Sequence, residues 1–354
     1  MRIALVILHA DPARGGAERY TIDLTVALVK AGHDVSLLAT TFANVPTDVN
    51  AVTLGASGVR RTGRYRGMLD SLDAHLDQTK YDIVHAMLPV RRCDVYHPHA
   101  GLAVAAIHEK KFQAMFNSRR RAFAAVEREL LSGPNPPVVL ALSQYVKRAI
   151  EKFYPLADGQ LAVLFNAVDL DHFHPQRHDP CDEIRALFVG KDGERKGLVY
   201  AESAVAFLND PQLKLVVVGD PGPGNYVIRH MDYVGPVADP RPYYNDADFF
   251  VLPTKHDPCS LVVLEALAMG LPVISTKFNG ACEIMTDGVH GYILDDPKDW
   301  RSLADRMQRL LDPDLRARMS AACLELRPKL AYEHHLATLL SIYQRAIANR
   351  QAKS

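Results

Sequence analysis

Short apolar runs alternate with longer segments of helical spacing along most of the chain. Residues 3–8 form a continuous apolar run, which is typical of a strand that is buried on both faces. A turn that contains Gly15-Gly16 follows, and residues 17–30 then place apolar side chains on one helical face. Because the order of strand, turn and helix recurs in both halves, the pattern predicts an α/β protein with two doubly wound, mostly parallel sheets.

The predicted elements cover both halves of the chain. Strands are expected at 3–8, 35–39, 51–54, 83–86, 95–97, 138–142, 163–165, 186–189, 213–218, around Tyr233, 249–252 and 273–275. Helices are expected at 17–30, 67–76, within 102–131, after Ser143 as an N-cap, and at 198–208, 262–268, 297–311 and 335–349. The polar segment 171–182 predicts a linker between an N-terminal domain, 1–170, and a C-terminal domain, 183–330. Residues 331–354 are expected to form a helix that packs back on the N-terminal domain.

The composition narrows the class of protein. The chain has 354 residues, of which 48% are hydrophobic and 23% are charged, as is ordinary for globular proteins of two domains. Lys and Arg together number 41, as do Asp and Glu, so a nucleic-acid partner is not expected. No apolar run approaches the roughly 20 residues that cross a bilayer. Five dispersed cysteines favour a reducing, cytoplasmic location, and a monomer is the expected state.

Two glycine-containing turns follow predicted strands and precede helices. Gly15-Gly16 can bring backbone N–H groups close to an anion at a helix N-terminus, although a plain strand-to-helix turn fits the pair equally. The Gly190–Gly197 turn carries Arg195 and Lys196, two cations that can bind a phosphate. The alternative for this second turn is a solvated loop.

The most specific stretch is 248–276, in which a buried strand leads through a polar loop into a helix. Cys259 or Ser260 is expected to cap that helix, and its first backbone N–H groups can bind phosphate. Asp257 lies in the loop and Glu265 lies near the middle of the helix. A carboxylate there can accept two hydrogen bonds from a diol such as that of ribose. The alternative is a capped helix with an exposed Glu265.

These motifs together resemble the family-4 retaining glycosyltransferases of the GT-B fold. The shared features are Gly15-Gly16, the segment 166–169 with Phe173, Gly-x-x-x-x-Arg195-Lys196-Gly197, the block 248–276, the segment 279–283, and Asp287-Gly288-x-x-Gly291. The likeness is strongest over 160–300. The stretch 94–101 and the basic segment after it look most similar to the lipopolysaccharide-core glucosyltransferase group.

The resemblance implies two Rossmann-like domains that face each other across a cleft. A nucleotide sugar, by preference a UDP-sugar, would be held mainly by the C-terminal domain. The site roles that the resemblance implies are pyrophosphate binding by Arg195 and Lys196, ribose binding by Glu265, contact with the transferred sugar by Asp257, and further donor contacts by Gly15, Gly16, Gly190, Ser260 and Leu261. His99, or less readily His97, corresponds to a family histidine near the donor sugar, while both could be ordinary residues at a strand end. Asn166 is expected to shape the hinge.

One departure from the family pattern is Asp257, where the family usually has Glu. The side chain is one methylene shorter, which could change donor choice or lower activity. Arg195, Lys196 and helix N-termini are expected to stabilise the departing diphosphate. The resemblance implies that the acceptor hydroxyl attacks from the leaving-group face and gives its proton to a phosphate oxygen. No protein general base, metal ion or cofactor is therefore expected.

The expected partners are a nucleotide-sugar donor and a glycan or lipid-linked acceptor that binds the N-terminal domain. The basic segment 108–121, from His108 to Arg121, predicts contact with an anionic membrane surface on the inner face of the plasma membrane, or with a phosphorylated lipid-linked acceptor. A solvated helix is the alternative. The rival functions are a nucleotide-sugar epimerase and a catalytically weak nucleotide-sugar-binding or scaffold protein. A dehydrogenase is disfavoured because the chain lacks the Gly-x-Gly-x-x-Gly dinucleotide motif.

Overall fold

Two parallel sheets organise the residues that the computed structural model describes. Those residues are 1–99, 101–105, 117–176, 183–220 and 231–352. The first compact unit consists of Met1–Phe165 with His335–Ser354, and the second consists of Asn166–His334. The prediction of two α/β domains with parallel sheets is confirmed.

The sheet of the first unit contains seven parallel strands among the described residues. Those strands are β1 (Arg2–Val6), β2 (Asp34–Ala39), β3 (Asn50–Thr53), β4 (Ile83–Ala86), β5 (Val95–Tyr96), β6 (Val138–Ala141) and β7 (Leu161–Val163). Their order is β3-β2-β1-β4-β5-β6-β7, so the direction of strand addition reverses between β1 and β4. In such sheets, ligands bind at the carboxyl ends of the strands next to this reversal.

Helices accompany the first sheet, and five of them have bounds within the described residues. They are α1 (Gly16–Lys30), α2 (Arg61–Gln78), α3 (Ser118–Ser132), α4 (Gln144–Phe153) and the C-terminal helix (Tyr332–Gln351), which belongs to the first unit from His335 onward. The hydroxyl of Ser143 accepts a hydrogen bond from the Val146 backbone N–H at 3.2 Å, so the predicted N-cap of α4 is confirmed. In the part of the chain that is described, no helix is both long enough and apolar enough to cross a membrane.

The sheet of the second unit contains six parallel strands among the described residues, in the order β10-β9-β8-β11-β12-β13. Those strands are β8 (Ile184–Val189), β9 (Leu213–Val218), β10 (Met231–Gly235), β11 (Phe249–Leu252), β12 (Val273–Thr276) and β13 (Gly291–Leu294). The helices are α5 (Gly193–Lys196), α6 (Leu198–Leu208), α7 (Arg241–Asn245), α8 (Leu261–Ala268), α9 (Trp300–Arg309), α10 (Pro313–Glu325) and α11 (Arg327–Leu330), with a 3₁₀ helix at Gly280–Ile284. Strand order reverses here between β8 and β11.

The differences from the predicted elements are local. The pattern missed β13, a short strand that begins at a glycine, and it started α2 six residues too late. The predicted strand at 163–165 lies two residues earlier, as β7. Of the predicted helical region 102–131, residues 106–116 lie outside the described part of the chain, and so do residues 177–182 of the expected linker.

A cluster of buried aromatic rings lies between the first sheet and its helices. Its members come from α1, from β4, from the segment after β5 and from the C-terminal helix, and they are Tyr20, His85, His97, His99, His335 and Tyr343. The Tyr20 hydroxyl lies 2.8 Å from His335 Nε2, and the Tyr343 hydroxyl lies 2.7 Å from His85 Nδ1. The rings of His97 and His99 are 4.1 Å apart between centroids. We call this group the histidine cluster.

His85, His97 and His99 of the histidine cluster are neutral at ordinary pH. Burial, with a smaller contribution from a neighbouring histidine, lowers the pKa of His85 to about 3. The same causes hold the pKa values of His97 and His99 well below 6.5. Both ring nitrogens of His97 are buried without a hydrogen-bond partner among the described residues, so no acceptor there favours a proton.

His97→Phe should make the fold less sensitive to acid. Below about pH 6.5 the unfolded chain takes up a proton at this imidazole that the folded protein does not. The free energy of unfolding therefore decreases as the pH falls from about 6.5 towards the lower pKa of the folded state. Removing the imidazole should reduce that slope by about 1.4 kcal/mol per pH unit in this window.

Denaturant unfolding of wild type and variant at several pH values measures this slope. His174→Gln, which replaces an exposed imidazole of the second unit, is the control and should keep the wild-type slope. An unchanged slope in His97→Phe would show that the folded protein protonates His97 as readily as the unfolded chain does.

Candidate functional site

Several residues predicted from the sequence meet at the carboxyl edge of the second sheet, where strand order reverses. Strand β8 runs through Gly190 into α5, which ends with Arg195 and Lys196. Strand β11 runs into the loop that carries Asp257. Because these two strands are neighbours, the two loops that follow them lie side by side.

The centre of this site is a buried ion pair. The ammonium of Lys196 donates a hydrogen bond to Asp257 Oδ2, and both residues are less than a tenth exposed. The Arg195 Nη1 atom lies 3.9 Å from the same carboxylate oxygen and donates to the His256 carbonyl at 2.8 Å. Asp192 accepts from Arg195 Nε at 3.0 Å. The two predicted phosphate-binding cations are thus both held by the carboxylates and carbonyls of adjacent loops.

The turn that presents these cations depends on Gly197. Its backbone is in the left-handed region, with φ +82°, and a Cβ there would lie 2.1 Å from the Pro253 carbonyl oxygen. The loop after β11 also fixes the Arg195 backbone, because the Thr254 hydroxyl and the Lys255 backbone N–H both donate to the Arg195 carbonyl, at 3.2 and 2.9 Å. The sequence indicated Gly197, but it carried no local signal for Thr254.

Asn279 connects the Asp257 loop to the start of α8. Its Oδ1 atom accepts from the Ser260 and Ala281 backbone N–H groups at 3.3 and 3.1 Å. Its chain neighbours bond to the Asp257 backbone: the Asp257 N–H donates to the Phe278 carbonyl and the Gly280 N–H donates to the Asp257 carbonyl, both at 2.9 Å. Ser260 occupies the predicted N-cap position, but its hydroxyl makes no capping hydrogen bond. That hydroxyl is buried and has no partner within the described ranges. The prediction of a side-chain cap is therefore wrong, and the Ser260 hydroxyl stays without a hydrogen-bond partner in the described chain at the start of α8.

Glu265 lies one turn after Leu261, the first residue of α8. The buried Tyr244 hydroxyl donates a hydrogen bond to Glu265 Oε2 at 2.8 Å. Burial, reinforced by the Glu265 charge, raises the pKa of Tyr244 well above its usual value, so the phenol stays protonated and keeps donating. Glu265 is half-buried rather than exposed. Tyr244 is a site residue that the sequence analysis missed.

Two further predicted residues border this site. The Gly190 backbone N–H donates to the Val218 carbonyl at 2.9 Å, and a Cβ at Gly190 would lie 3.6 Å from Lys196 Cγ, an ordinary contact distance. The Asn166 side chain donates to the Cys259 carbonyl at 3.0 Å, within the second unit. The Asn166 Oδ1 atom is buried without a partner among the residues described. The expected hinge role of Asn166 stays a prediction.

The remaining predicted residues lie in the first unit, at the carboxyl ends of β1 and β5. Gly15 occupies the N-cap position of α1 with an extended backbone, and Gly16 begins the helix. Neither has the left-handed backbone that requires glycine, so the expected tight turn is instead a direct passage from loop to helix. His99 and His97 belong to the histidine cluster rather than to an open loop end.

Two predictions about the partners of the chain concern parts that are only partly described. Most of the basic segment 108–121 predicted to touch a membrane, namely residues 108–116, lies outside the described residues, and α3 begins at Ser118. Within the described ranges, no group of three or more His, Cys, Asp or Glu side chains is arranged to hold a metal ion.

Family models match both halves of the chain. Residues 14–172 match the model described as Glycosyltransferase Family 4, and residues 183–313 match the model described as Glycosyl transferases group 1. The two matches together span most of the sequence, and each falls largely within one of the two compact units.

Known proteins share this organisation along their whole length. A D-inositol 3-phosphate glycosyltransferase of Nocardioides sp. is 25% identical over 98% of this chain and 90% of its own. A probable transglycosylase of Burkholderia thailandensis is 28% identical over 95% of each chain. The crystal structure of WaaG, a glycosyltransferase involved in lipopolysaccharide biosynthesis, covers 98% of both chains with a TM-score of 0.78 at 19% identity, which is a likeness of fold. The chain is a glycosyltransferase of the GT-B fold and belongs to the superfamily of group 1 and family 4 glycosyltransferases.

Proposed function

We propose that this glycosyltransferase moves a hexose from a nucleotide sugar to a hydroxyl group of a glycan or lipid-linked acceptor. The proposed donor is a UDP-hexose. The reaction would retain the anomeric configuration and proceed without a metal ion. The observation that carries the proposal is the gathering of Arg195, Lys196 and the Ser260 hydroxyl, which has no hydrogen-bond partner among the described residues, at the reversal point of the second sheet. Two cations, a hydroxyl and a helix N-terminus suit a diphosphate.

Charge explains how such a site would promote transfer. Breaking the bond between the sugar and the phosphate builds positive charge on the sugar and negative charge on the departing diphosphate. Lys196 and Arg195 would stabilise the growing negative charge, together with the N-terminal backbone N–H groups of α8. A phosphate oxygen of the leaving group would take the acceptor's proton, so no side chain is assigned as the general base.

Glu265 is proposed to hold the ribose. A carboxylate can accept hydrogen bonds from both hydroxyls of a ribose diol. The hydrogen bond from Tyr244 fixes the direction of the Glu265 side chain before a nucleotide binds. Asp257, whose backbone pairs with the segment around Asn279, is proposed to contact the transferred sugar.

The acceptor and the pathway are a further part of the proposal. The relative from Nocardioides acts, by its name, on a phosphorylated cyclitol, which supports a small hydroxylated acceptor or headgroup. We propose a role in the synthesis of cell-envelope polysaccharide or lipopolysaccharide, at the cytoplasmic side of the membrane. The D-inositol phosphate acceptor of the relative is not carried over to this chain.

A second candidate function has one specific observation in its favour. In the structure, Lys196 is bound to Asp257, so a donor diphosphate has to compete with a buried carboxylate for its main cation. A protein that keeps this pair on binding would hold a nucleotide sugar weakly and transfer nothing. The second candidate function is therefore a catalytically weak nucleotide-sugar-binding or scaffold protein. It differs from the first candidate in that it does not turn over the donor.

The first test is thermal unfolding with UDP, GDP, ADP and their sugar conjugates, each with and without EDTA. A nucleotide at about 100 times its dissociation constant should stabilise the fold by roughly 2.7 kcal/mol. We expect the UDP series to raise the melting temperature, EDTA to change nothing, and Glu265→Ala to abolish the effect. Glu325→Gln, at an exposed carboxylate of α10, is the matched control and should keep it.

Release of UDP from UDP-hexoses, with and without acceptor mixtures, then separates the two candidates. Binding together with turnover and a retained anomeric configuration supports the transferase. Binding without any turnover supports the scaffold protein. If no nucleotide stabilises the fold, the donor site is not where we place it, and loss of the shift with EDTA would contradict the metal-independent mechanism.

Asp257→Asn should reveal the competition between the carboxylate and the nucleotide. Without its partner, the buried Lys196 ammonium is uncompensated, so the free energy of unfolding of the unliganded protein should decrease by about 3 kcal/mol. UDP supplies the missing negative charge and should therefore stabilise the variant more than the wild type. The additional stabilisation that a UDP-hexose gives over UDP should shrink, because a contact with the sugar is lost.

Denaturant unfolding at saturating UDP and UDP-hexose measures both differences. Lys196→Gln is the matched variant of the other partner and should lose most of the stabilisation by UDP. Weaker stabilisation of Asp257→Asn by UDP would show that Asp257 helps to bind the diphosphate rather than competing with it.

A further inference from the structure

Three arginines gather at the carboxyl edge of the first sheet, away from the residues already assigned. Arg14 lies in the loop between β1 and α1, Arg61 is the first residue of α2, and Arg119 lies in the first turn of α3. We call them the arginine cluster. His9, in the loop that follows β1, lies beside them.

Contacts between α2 and α3 hold the arginine cluster in place. The hydroxyls of Thr62 and Ser118 lie 3.0 Å apart, which joins the first turns of the two helices. The Arg119 guanidinium lies over the Phe123 ring, 5.2 Å from its centroid, and this ring packs against the buried Tyr65 at 4.3 Å. Arg119 is thus half-buried and ordered by an apolar contact rather than by a carboxylate.

The cluster carries positive charge that no carboxylate of the described residues pairs with. The charges of Arg61 and Arg14, after burial, lower the pKa of Arg119, and burial with Arg14 and Arg119 lowers the pKa of His9. The hydroxyls of Thr62 and Ser118, the chain neighbours of Arg61 and Arg119, lie 3.0 Å apart, so these two arginines stand at adjoining helix starts and repel each other. In the described parts of the chain, no carboxylate forms an ion pair with any of the three arginines, although both arginines of the nearby Arg91-Arg92 pair have such partners.

The carboxylates on the adjoining elements form no ion pair with the cluster among the described residues. Asp11, in the loop with Arg14, accepts from the Ala13 backbone N–H at 3.1 Å. Glu18, in the first turn of α1, places its Oε2 atom beside Gly15. Within the described ranges, the N-cap residues of α1 and α2 make no side-chain capping hydrogen bond, and the first N–H groups of both helices lie at the same edge.

We propose that the arginine cluster binds the phosphate of a phosphomonoester carried by the acceptor. This inference rests on the proposed function, because it takes the bound molecule to be the acceptor of the transfer. A dianion relieves the repulsion among the three guanidinium groups and matches their forked donors, which bind phosphate through paired hydrogen bonds. The uncapped N-termini of α1 and α2 add partial positive charge at the same edge.

The test measures binding of inorganic phosphate and of a soluble hexose phosphate by calorimetry, with the donor site saturated by UDP. The corresponding neutral hexose is the comparison ligand. We expect both phosphates to bind, the neutral hexose not to bind, and Arg119→Gln and Arg61→Gln each to weaken phosphate binding by about tenfold or more. Arg66→Gln, at an exposed arginine further along α2, is the matched control and should leave binding unchanged.

A second arm distinguishes a soluble phosphate from a membrane headgroup. Vesicles of phosphatidylglycerol and of phosphatidylcholine are sedimented with wild type and with Arg119→Gln. Binding to the anionic vesicles that needs Arg119, without binding of either free phosphate, would overturn the proposal in favour of a membrane surface. Thermal unfolding of each variant without ligand shows that the fold is kept.

The outcomes separate this inference from the proposed function. If UDP binds and is turned over but the phosphates do not bind, only the arginine cluster fails as a site. If UDP does not bind, phosphate binding is measured with the Lys196→Gln variant, in which the donor site can no longer bind phosphate. Phosphate binding that then still depends on Arg119 and Arg61 supports the anion site and leaves only the transfer in doubt, while phosphate binding that both variants keep overturns the site.

Discussion

The buried ion pair between Lys196 and Asp257 is the interaction around which the second unit's site is organised. Two charges with almost no exposure are stable only when each is matched, because removing an ion from water costs several kcal/mol. The ion pair forms only if the loop that carries Lys196 and the loop that carries Asp257 keep a fixed relative position. Gly197 permits one loop to approach Pro253, and Asn279 fixes the other. The position of Lys196 is therefore fixed before any ligand binds. A diphosphate that binds Lys196 has to replace the Asp257 carboxylate.

Much of the fold followed from the apolar pattern, and the reason is physical. Strand β11 is central in a parallel sheet, fully buried and continuously apolar, and β9 is apolar except for Lys214, so the bounds of both were predicted to the residue. The closeness of Arg195 and Asp257 agrees with the same topology, because both residues come after neighbouring strands of a doubly wound sheet. Strand β13 was missed because a short run that starts with glycine carries little pattern.

What the sequence could not provide were contacts between distant segments. Tyr244 holds Glu265 from 21 residues away, and Tyr20 meets His335 across 315 residues. The sequence pattern around a single tyrosine or histidine does not indicate which distant residue it contacts. The unsatisfied Ser260 hydroxyl was likewise unpredictable, because serine before a helix ordinarily caps it. Here the backbone N–H of Ser260 is bonded by Asn279, and the serine hydroxyl remains without a partner among the described residues.

The two units treat buried and clustered charge in opposite ways. The second unit neutralises Lys196 with Asp257, so its cation is available only to a ligand that displaces a carboxylate. The first unit keeps its buried histidines neutral by lowering their pKa values, yet gathers Arg14, Arg61 and Arg119 without a counter-charge in the described chain. Arginine cannot escape repulsion by losing its proton at ordinary pH, as histidine does. A fold that tolerates this repulsion at one edge gains stability when an anion binds there, and that edge is where a parallel sheet of this kind places its ligands.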